Sequence, residues 1–422
     1  MKKIICLLCS CTLLAGCADV KKSAPTEGRI AVRSTVNTDV EKATNSVKLG
    51  VTDSRLNWAQ NNANAKNLMP HGHIKPNASL KWNRSVGKGI SNTYLHLPSP
   101  IIQNGVIYAL DASFKMSAVQ EKDGQIIWQK QLPVSKDMGL ASIGLTSDSQ
   151  RIYAVNGDGV VYALDTAGNI KWQKNTNAIL RSAPTLADGV LYLLSGNNEL
   201  FAINGTTGEE VWTYRNMDTS TNLFGMGQPA VSKGIVVVPF SNGEIIAFDA
   251  KTGMMLWSDI LLSSRRFNQI EEISHVLASP VIDGDTVYLV GNAQKTGAFD
   301  LKTGEIKFMQ NIGGQNTPVI NGNALFMITK RNTLTALDKE TGLLIWETPL
   351  ETKEPKNVYW SGPVLANGRL IVVSNKGDIY LFDAVSGQIK EQLKEESIRN
   401  KPILGNERVI IYTDDADLLS YE

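Results

Sequence analysis

The chain has 422 residues, of which 42% are apolar and 20% charged. That balance excludes a disordered polymer and suits a soluble globular fold. Its 42 Lys and Arg against 41 Asp and Glu leave no electrostatic footprint for nucleic acid, which is excluded as a partner.

At the N-terminus, Lys2 and Lys3 precede a run from Ile4 to Ala15 that is apolar except for Ser10 and Thr12. The run is too short to span a bilayer and reads as a secretory signal. It ends in Leu13-Leu-Ala-Gly-Cys17, which resembles a bacterial lipobox. The resemblance implies cleavage before Cys17, so that residues 1–16 are a signal peptide and the Cys17 thiol carries a diacylglycerol. Ala18 in the next position is similar to the pattern of lipoproteins sent to the outer membrane. The other cysteines, Cys6, Cys9 and Cys11, lie inside the signal, so no disulfide braces the rest. The lipid predicts a chain anchored to the membrane and not spanning it.

Residues 17–77 are rich in Ser, Thr, Asn, Lys and Val without a sustained apolar period. As far as about Leu49 they read as a flexible tether. Arg55-Leu-Asn-Trp-Ala-Gln60 carries an isolated Trp58, which predicts that this part packs against the folded domain, along its outside. His71-Gly-His73 reads as two solvated loop imidazoles in preference to a metal pair, and His96 and His275 are solitary.

From residue 78 to 422 one cassette recurs: a short apolar strand, an Asp, a Thr-Gly turn and a Trp four residues after the Gly. It is complete in Asp249-Ala-Lys-Thr-Gly253 with Trp257 and in Asp338-Lys-Glu-Thr-Gly342 with Trp346. The residue four after each turn glycine is Trp128, Trp172, Trp212, Trp257, Phe308, Trp346 or Glu391, an average spacing of about 44 residues, the period of a four-stranded propeller blade. Each unit opens with a Pro before a β-rich run, as in Pro184-Thr-Leu and Pro280-Val-Ile, and Asn-Gly or Asp-Gly signals mark tight hairpins. The Gly supplies the positive φ of the turn, the Asp accepts turn N–H groups, and the indole anchors one blade to another.

The repeats are not identical. Gln120 and Asn204 replace the Asp in units one and three, Asp165-Thr-Ala-Gly168 is one residue shorter, and Glu391 replaces the last Trp. Seven cassettes still predict eight blades. After Gly387 three more strands follow, in Lys401-Pro-Ile-Leu, Arg408-Val-Ile-Ile-Tyr and Asp417-Leu-Leu-Ser-Tyr, and the chain ends before the next turn. The fourth strand is supplied from Ala78-Ser-Leu-Lys-Trp-Asn-Arg-Ser-Val86 with its orphan Trp82. The expected fold is therefore all-β, an eight-bladed β-propeller of four-stranded antiparallel blades, closed by an N-terminal strand joining the C-terminal blade.

No Cys cluster, His-Glu-x-x-His helix, nucleophile elbow or phosphate-cradling loop is present. Asn156-Gly-Asp-Gly and Asn242-Gly-Glu read as hairpin turns. No catalytic residue, cofactor or metal is expected.

The cassette Ala-x-Asp-x-x-Thr-Gly-x-x-x-Trp resembles the tryptophan-docking repeat of propellers related to the quinone-dependent alcohol dehydrogenases, over residues 78–422. In those enzymes the resemblance would imply pyrroloquinoline quinone and calcium on the ring axis beneath a pair of adjacent cysteines, and no cysteine lies in this propeller. With its lipobox and tether the chain resembles more closely the BamB family of non-enzymatic outer-membrane assembly lipoproteins. Ser85-Val-Gly-Lys-Gly-Ile-Ser-Asn92 is similar to that family's approach to blade one. The long connection containing Arg266-Phe-Asn-Gln-Ile-Glu-Glu-Ile-Ser-His-Val-Leu-Ala-Ser-Pro280 is similar to its link between blades four and five.

This second resemblance implies a scaffold of the barrel-assembly (BAM) complex, monomeric within it and held on the periplasmic face of the outer membrane. There it would dock on the POTRA domain of a BamA-like protein through the connections before blades four and five, which here contain Leu223, Phe224 and Met226, and Arg265, Arg266, Glu271 and Glu272. Phe224 stands where the family has Arg, and His275 and Leu277 where it has acidic residues. A ligand-binding propeller on the dehydrogenase pattern, and an edge-pairing holder of unfolded outer-membrane proteins, are the other readings.

Overall fold

The computed structural model describes residues 41–54, 56–75, 79–92, 96–134, 142–217, 227–260, 278–292, 295–353 and 356–422. Among these are thirty-two strands, numbered β1 to β32 in chain order, and no helix. Seven sheets each take four consecutive strands: β2 to β5 (101–131), β6 to β9 (144–175), β10 to β13 (185–215), β14 to β17 (230–260), β18 to β21 (281–310), β22 to β25 (319–349) and β26 to β29 (360–394). The eighth joins β30 (Ile403–Leu404), β31 (Val409–Tyr412) and β32 (Asp417–Tyr421) to β1 (Leu80–Ser85). In that closing pair Trp82 lies opposite Ser420 and Ser85 opposite Asp417, antiparallel. The eight-bladed ring closed by its two ends is therefore present as the repeats predict.

Within a blade, burial falls from the inside outward. The second and third strands are nearly continuous apolar runs, such as Val190–Leu194 and Glu244–Asp249, buried on both faces between neighbouring sheets. The fourth strands, such as Ile170–Asn175, alternate between half-buried and exposed positions, since one blade edge faces solvent. First strands are short, and those of adjacent blades, β2 with β6 and β14 with β18, approach one another. They converge on the axis of the ring.

The cassettes with Asp249, Asp300, Asp338 and Asp383 build their turns in the same way. Asp249 Oδ1 accepts the N–H of Lys251 and Thr252 and the Thr252 hydroxyl, the last at 2.7 Å, while Gly253 at φ 71° returns its N–H to the Asp249 carbonyl at 2.9 Å. The Trp does not stay with its own turn. Its ring lies on the turn glycine of the next blade, Trp82 on Gly124, Trp128 on Gly168, Trp172 on Gly208, Trp212 on Gly253, Trp257 on Gly304 and Trp346 on Gly387, with Phe308 on Gly342 in the same role. The indole N–H then donates to a carbonyl of that next turn, as from Trp257 to Leu301 at 2.9 Å and from Trp172 to Gly205 at 3.0 Å. Phe308 keeps the stacking and lacks the bond.

This geometry leaves no room for a methyl group on the turn. At Gly304 an added Cβ would sit 2.8 Å from the Trp257 ring at φ 74°, whereas at Gly284, φ 62°, nothing lies within 4 Å. Gly284→Ala tests backbone strain alone and is expected to cost about 1 kcal/mol. Gly304→Ala adds displacement of the indole and is expected to cost about 2 to 4 kcal/mol. Urea unfolding of both variants checks the difference, and equal losses would mean that the glycine is kept for its φ alone.

Candidate functional site

Residues 56–75 do not pack along the outside of the ring, contrary to the expectation from Trp58. They cross the turns between first and second strands and fill the axis. The chain comes in at blade six, where Ala43 N donates to Leu344 O at 2.8 Å and Asn45 Nδ2 to the cassette carboxylate of Asp338 at 2.6 Å. It continues over Asn323 and Asn321, whose side-chain oxygens accept Lys48 N and Gly50 N. Trp58 then reaches zero exposure.

From there the segment meets one first strand after another. Ile102 N donates to Trp58 O at 2.8 Å in blade one, and Ser147 N to Ala59 O at 2.9 Å in blade two. Gln60 brackets the Leu186 peptide of blade three, donating to its carbonyl at 2.7 Å and accepting its N–H at 3.1 Å. Val231 N donates to Ala65 O at 2.7 Å in blade four and Ile282 N to Lys66 O at 2.9 Å in blade five. Blade seven is met through Gly72 and Leu365, and blade eight through the bridge of Ile74 with Glu407. The physical reason is that a first strand is a sheet edge with N–H groups facing the axis, and buried N–H groups need acceptors. The segment supplies carbonyls at those places.

The same segment ties the roots of the two connections singled out in the sequence. Asn67, buried at φ 56°, donates through Nδ2 to Pro229 O at 3.2 Å and to Pro280 O at 2.9 Å. Asn62 Nδ2 donates to Ser279 Oγ at 3.0 Å, and that hydroxyl oxygen accepts Gln228 N at 3.1 Å. Gln228 Nε2 donates to Asn67 Oδ1. Gly227 lies so close to Ala278 that an added Cβ would be 2.5 Å from the Ala278 carbonyl oxygen. The described ends of the connections before blades four and five, residues 227–229 and 278–280, thus lie side by side on one hydrogen-bonded base. Asn62, Asn67, Gln228 and Ser279 carry no motif in the sequence.

Leu223, Phe224 and Met226 of the first connection and Arg265, Arg266, Glu271, Glu272, His275 and Leu277 of the second lie outside the described residues, as does Cys17. Trp82, Trp128, Trp172, Trp212, Trp257, Phe308 and Trp346 occupy the structural docking positions described above.

His71 is not a solvated loop residue. It is buried, its Nε2 accepts Gly368 N–H at 2.9 Å, and its Nδ1–H donates to Gly50 O at 2.9 Å. Only the neutral ring makes both bonds. Burial, outweighing the bond to Gly50, holds its pKa below the ordinary 6.5. The unfolded chain therefore takes up this proton first as pH falls. The stability that neutral His71 contributes is complete above about pH 6.5, declines below it, and stops declining once the folded-state pKa is passed. His71→Gln keeps a donor and an acceptor without a titration. The drop in urea midpoint between about pH 7.5 and 5.5 is expected to be smaller in His71→Gln than in the parent chain, and an identical drop would remove His71 from the pH dependence.

A sequence profile of the family described as outer membrane protein assembly factor BamB matches residues 135–348 and 332–422. BamB of Yersinia pestis is 26% identical over 340 residues, covering 78% of this chain and 85% of its own. BamB of Escherichia coli K12 is 27% identical over 347 residues, covering 80% and 87%. The crystal structure of BamB from Moraxella catarrhalis superposes with a TM-score of 0.68 at 17% identity, covering 82% of this chain and 99% of that one. A quinohemoprotein alcohol dehydrogenase from Comamonas testosteroni gives 0.69 at 11% identity, covering 88% and 81%, a likeness of fold alone. On the profile match to residues 135–422, the chain belongs to the BamB family of outer-membrane protein assembly factors.

Proposed function

We propose that this chain is a non-enzymatic scaffold of the machinery that inserts β-barrel proteins into the outer membrane. A lipid on Cys17 holds it at the periplasmic face, the tether ends by about residue 40 and not at Leu49, because residues 43–50 are hydrogen-bonded to blade six, and residues 78–422 form the propeller that presents its loops. Docking is assigned to the connections before blades four and five, with Leu223, Phe224 and Met226 as apolar anchors and Arg265, Arg266, Glu271 and Glu272 as polar partners of a BamA-like POTRA domain. The observation that carries this reading is the shared root of those connections, where Asn67 bonds both Pro229 O and Pro280 O. Loops on a rigid base bind without first ordering that base.

The competing reading, a cofactor on the ring axis, is disfavoured by what fills that axis. Trp58, Asn62 and Asn67 lie there at zero exposure, and they belong to the chain itself. Titration with pyrroloquinoline quinone and calcium is expected to leave the tryptophan fluorescence flat, and saturable quenching would favour the cofactor reading.

Co-purification from detergent-solubilised membranes tests the scaffold. The parent chain is expected to retain the barrel-assembly subunits, and its failure to do so under mild conditions would overturn the reading. Asn67→Ala leaves two buried carbonyls without their donor, costing about 2 to 4 kcal/mol, and is expected to reduce retention while the propeller stays folded. Glu271→Lys with Glu272→Lys is expected to reduce retention without any loss of stability. Full retention would remove that pair from the contact.

A further inference from the structure

Where blade eight passes into blade one, the chain from Ser85 to Ile90 is pinned from both sides. Val86 N donates to Ala416 O at 3.0 Å and Ile90 N to Asp414 O at 2.8 Å, both in blade eight. Lys88 N donates to Asp111 Oδ2 at 2.8 Å and Lys88 O accepts Ala112 N at 2.9 Å, both in blade one. Two glycines make this approach possible. An added Cβ would lie 2.2 Å from Asp111 Oδ2 at Gly87 and 2.3 Å from Asp414 O at Gly89.

Beside this stretch opens a cleft of about 410 Å³, lined by Ser85, Lys88, Ser113, Lys115, Gln129 and Gln131 around the carboxylate of Asp111. That volume lies within the range of small-molecule sites, and apart from Val86 and Gly87 the lining is polar. Asp111, 1% exposed, is committed to the wall: its Oδ1 accepts the N–H groups of Ser113 and Lys115, both at 2.8 Å, and its Oδ2 that of Lys88. The glutamines of β5 (Ile126–Gln131) are fixed as well. Gln129 Nε2 donates to Val86 O at 3.1 Å and to Ser117 Oγ at 2.9 Å, and Gln131 Nε2 to Ser113 O at 2.9 Å and to Leu132 O at 3.1 Å. Both protons of each amide are thereby used, which leaves each Oε1 as the acceptor the residue presents. The two residues share one face of the strand, roughly 7 Å apart. Lys88 and Lys115 bring two positive charges to the cleft against the one buried carboxylate.

We propose that this cleft binds an acidic saccharide, with sugar hydroxyls donating to Gln129 Oε1 and Gln131 Oε1 and a carboxylate or phosphate of the sugar facing Lys88 and Lys115. The chemistry of the lining selects the class. An apolar ligand would desolvate these polar groups without pairing them, and an inorganic anion is too small to reach both amide oxygens and both lysines. A neutral sugar would leave the two cations unused, whereas an acidic one gains charge-assisted hydrogen bonds from them. Acceptors one strand repeat apart match hydroxyls on the two edges of one sugar ring. At the periplasmic face two polymers carry such sugars: the cell wall, with its carboxylated amino sugars, and lipopolysaccharide, with its acidic core. Naming these sources rests on the location proposed above.

Isothermal titration calorimetry of the full-length protein in neutral detergent tests the site. The probes are the disaccharide of N-acetylglucosamine and N-acetylmuramic acid, ketodeoxyoctulosonic acid, the neutral disaccharide chitobiose, and triglutamate. Lys88→Gln with Lys115→Gln is expected to weaken binding of the acidic sugar at least about tenfold. Lys81→Gln with Lys122→Gln removes the same charge from exposed positions outside the cleft and is expected to leave binding unchanged, with both double variants unfolding at the parent's urea midpoint. Saturable binding of either acidic sugar with this dependence supports the assignment, and the tighter of the two names the source. No saturable binding of either, or equal losses in both double variants, would overturn it. So would chitobiose binding as tightly as the acidic disaccharide, or triglutamate binding more tightly than both sugars, which would make the cleft a peptide site. A parent chain that retains no barrel-assembly subunits yet binds the sugar through Lys88 and Lys115 sinks the scaffold reading and leaves the cleft standing, and the reverse result sinks the cleft alone.

Discussion

A closed ring of blades brings eight first strands together with backbone N–H groups turned toward the axis. In this chain the acceptors come from the lead segment. Carbonyls of Trp58, Ala59, Ala65 and Lys66 meet the N–H groups of Ile102, Ser147, Val231 and Ile282 in four blades. A buried amide left without a partner costs roughly 1 to 3 kcal/mol, so these bonds together outweigh any one indole contact at the rim. The lead segment is in effect the hub of the propeller, and Asn67 bonds it to Pro229 and Pro280, where blades four and five begin.

The rim is held by a different device, repeated and directional: each indole of one blade rests on the turn glycine of the next. That direction accounts for the one repeat that breaks the pattern. Glu391 stands where blade seven should present a Trp, and the blade it would dock on is the eighth, whose third and fourth strands, β32 and β1, come from opposite ends of the chain. No Thr-Gly turn joins them, so an indole there would have no glycine to lie on. Instead Glu391 faces Arg369 of its own blade at 3.9 Å. Trp82, on the strand that completes blade eight, docks forward onto Gly124 and restores the series.

How much of this could be read from the sequence follows from which atoms make each contact. The cassette was legible because its contacts use side chains and a glycine: Asp to turn N–H, Thr to Asp, indole to Gly. The eight-blade count and the closing strand followed from it. The hub was not legible because most of its contacts are made by main-chain carbonyls, which leave no residue preference behind. Trp58 alone hinted that the segment packs, and it could not say on which side. His71 was misread for the same reason, since its two partners are the backbone of Gly50 and Gly368. The pair of connections was visible as a break in the period, but the amides of Asn62, Asn67 and Gln228 that bring their roots together are distant in sequence and form no motif.

The central claim, that residues 56–74 close the axis and complete its hydrogen bonds, is tested most directly by native-state hydrogen exchange of the first-strand amides. The amides of Ile102, Val231 and Ile282 are predicted to exchange as slowly as those of the buried second and third strands, because each is bonded to a segment that opens only when the ring does. Exchange of these three at the rate of exposed loop amides, with the second and third strands still protected, would show that the segment leaves the axis while the propeller stays folded, and would contradict the account.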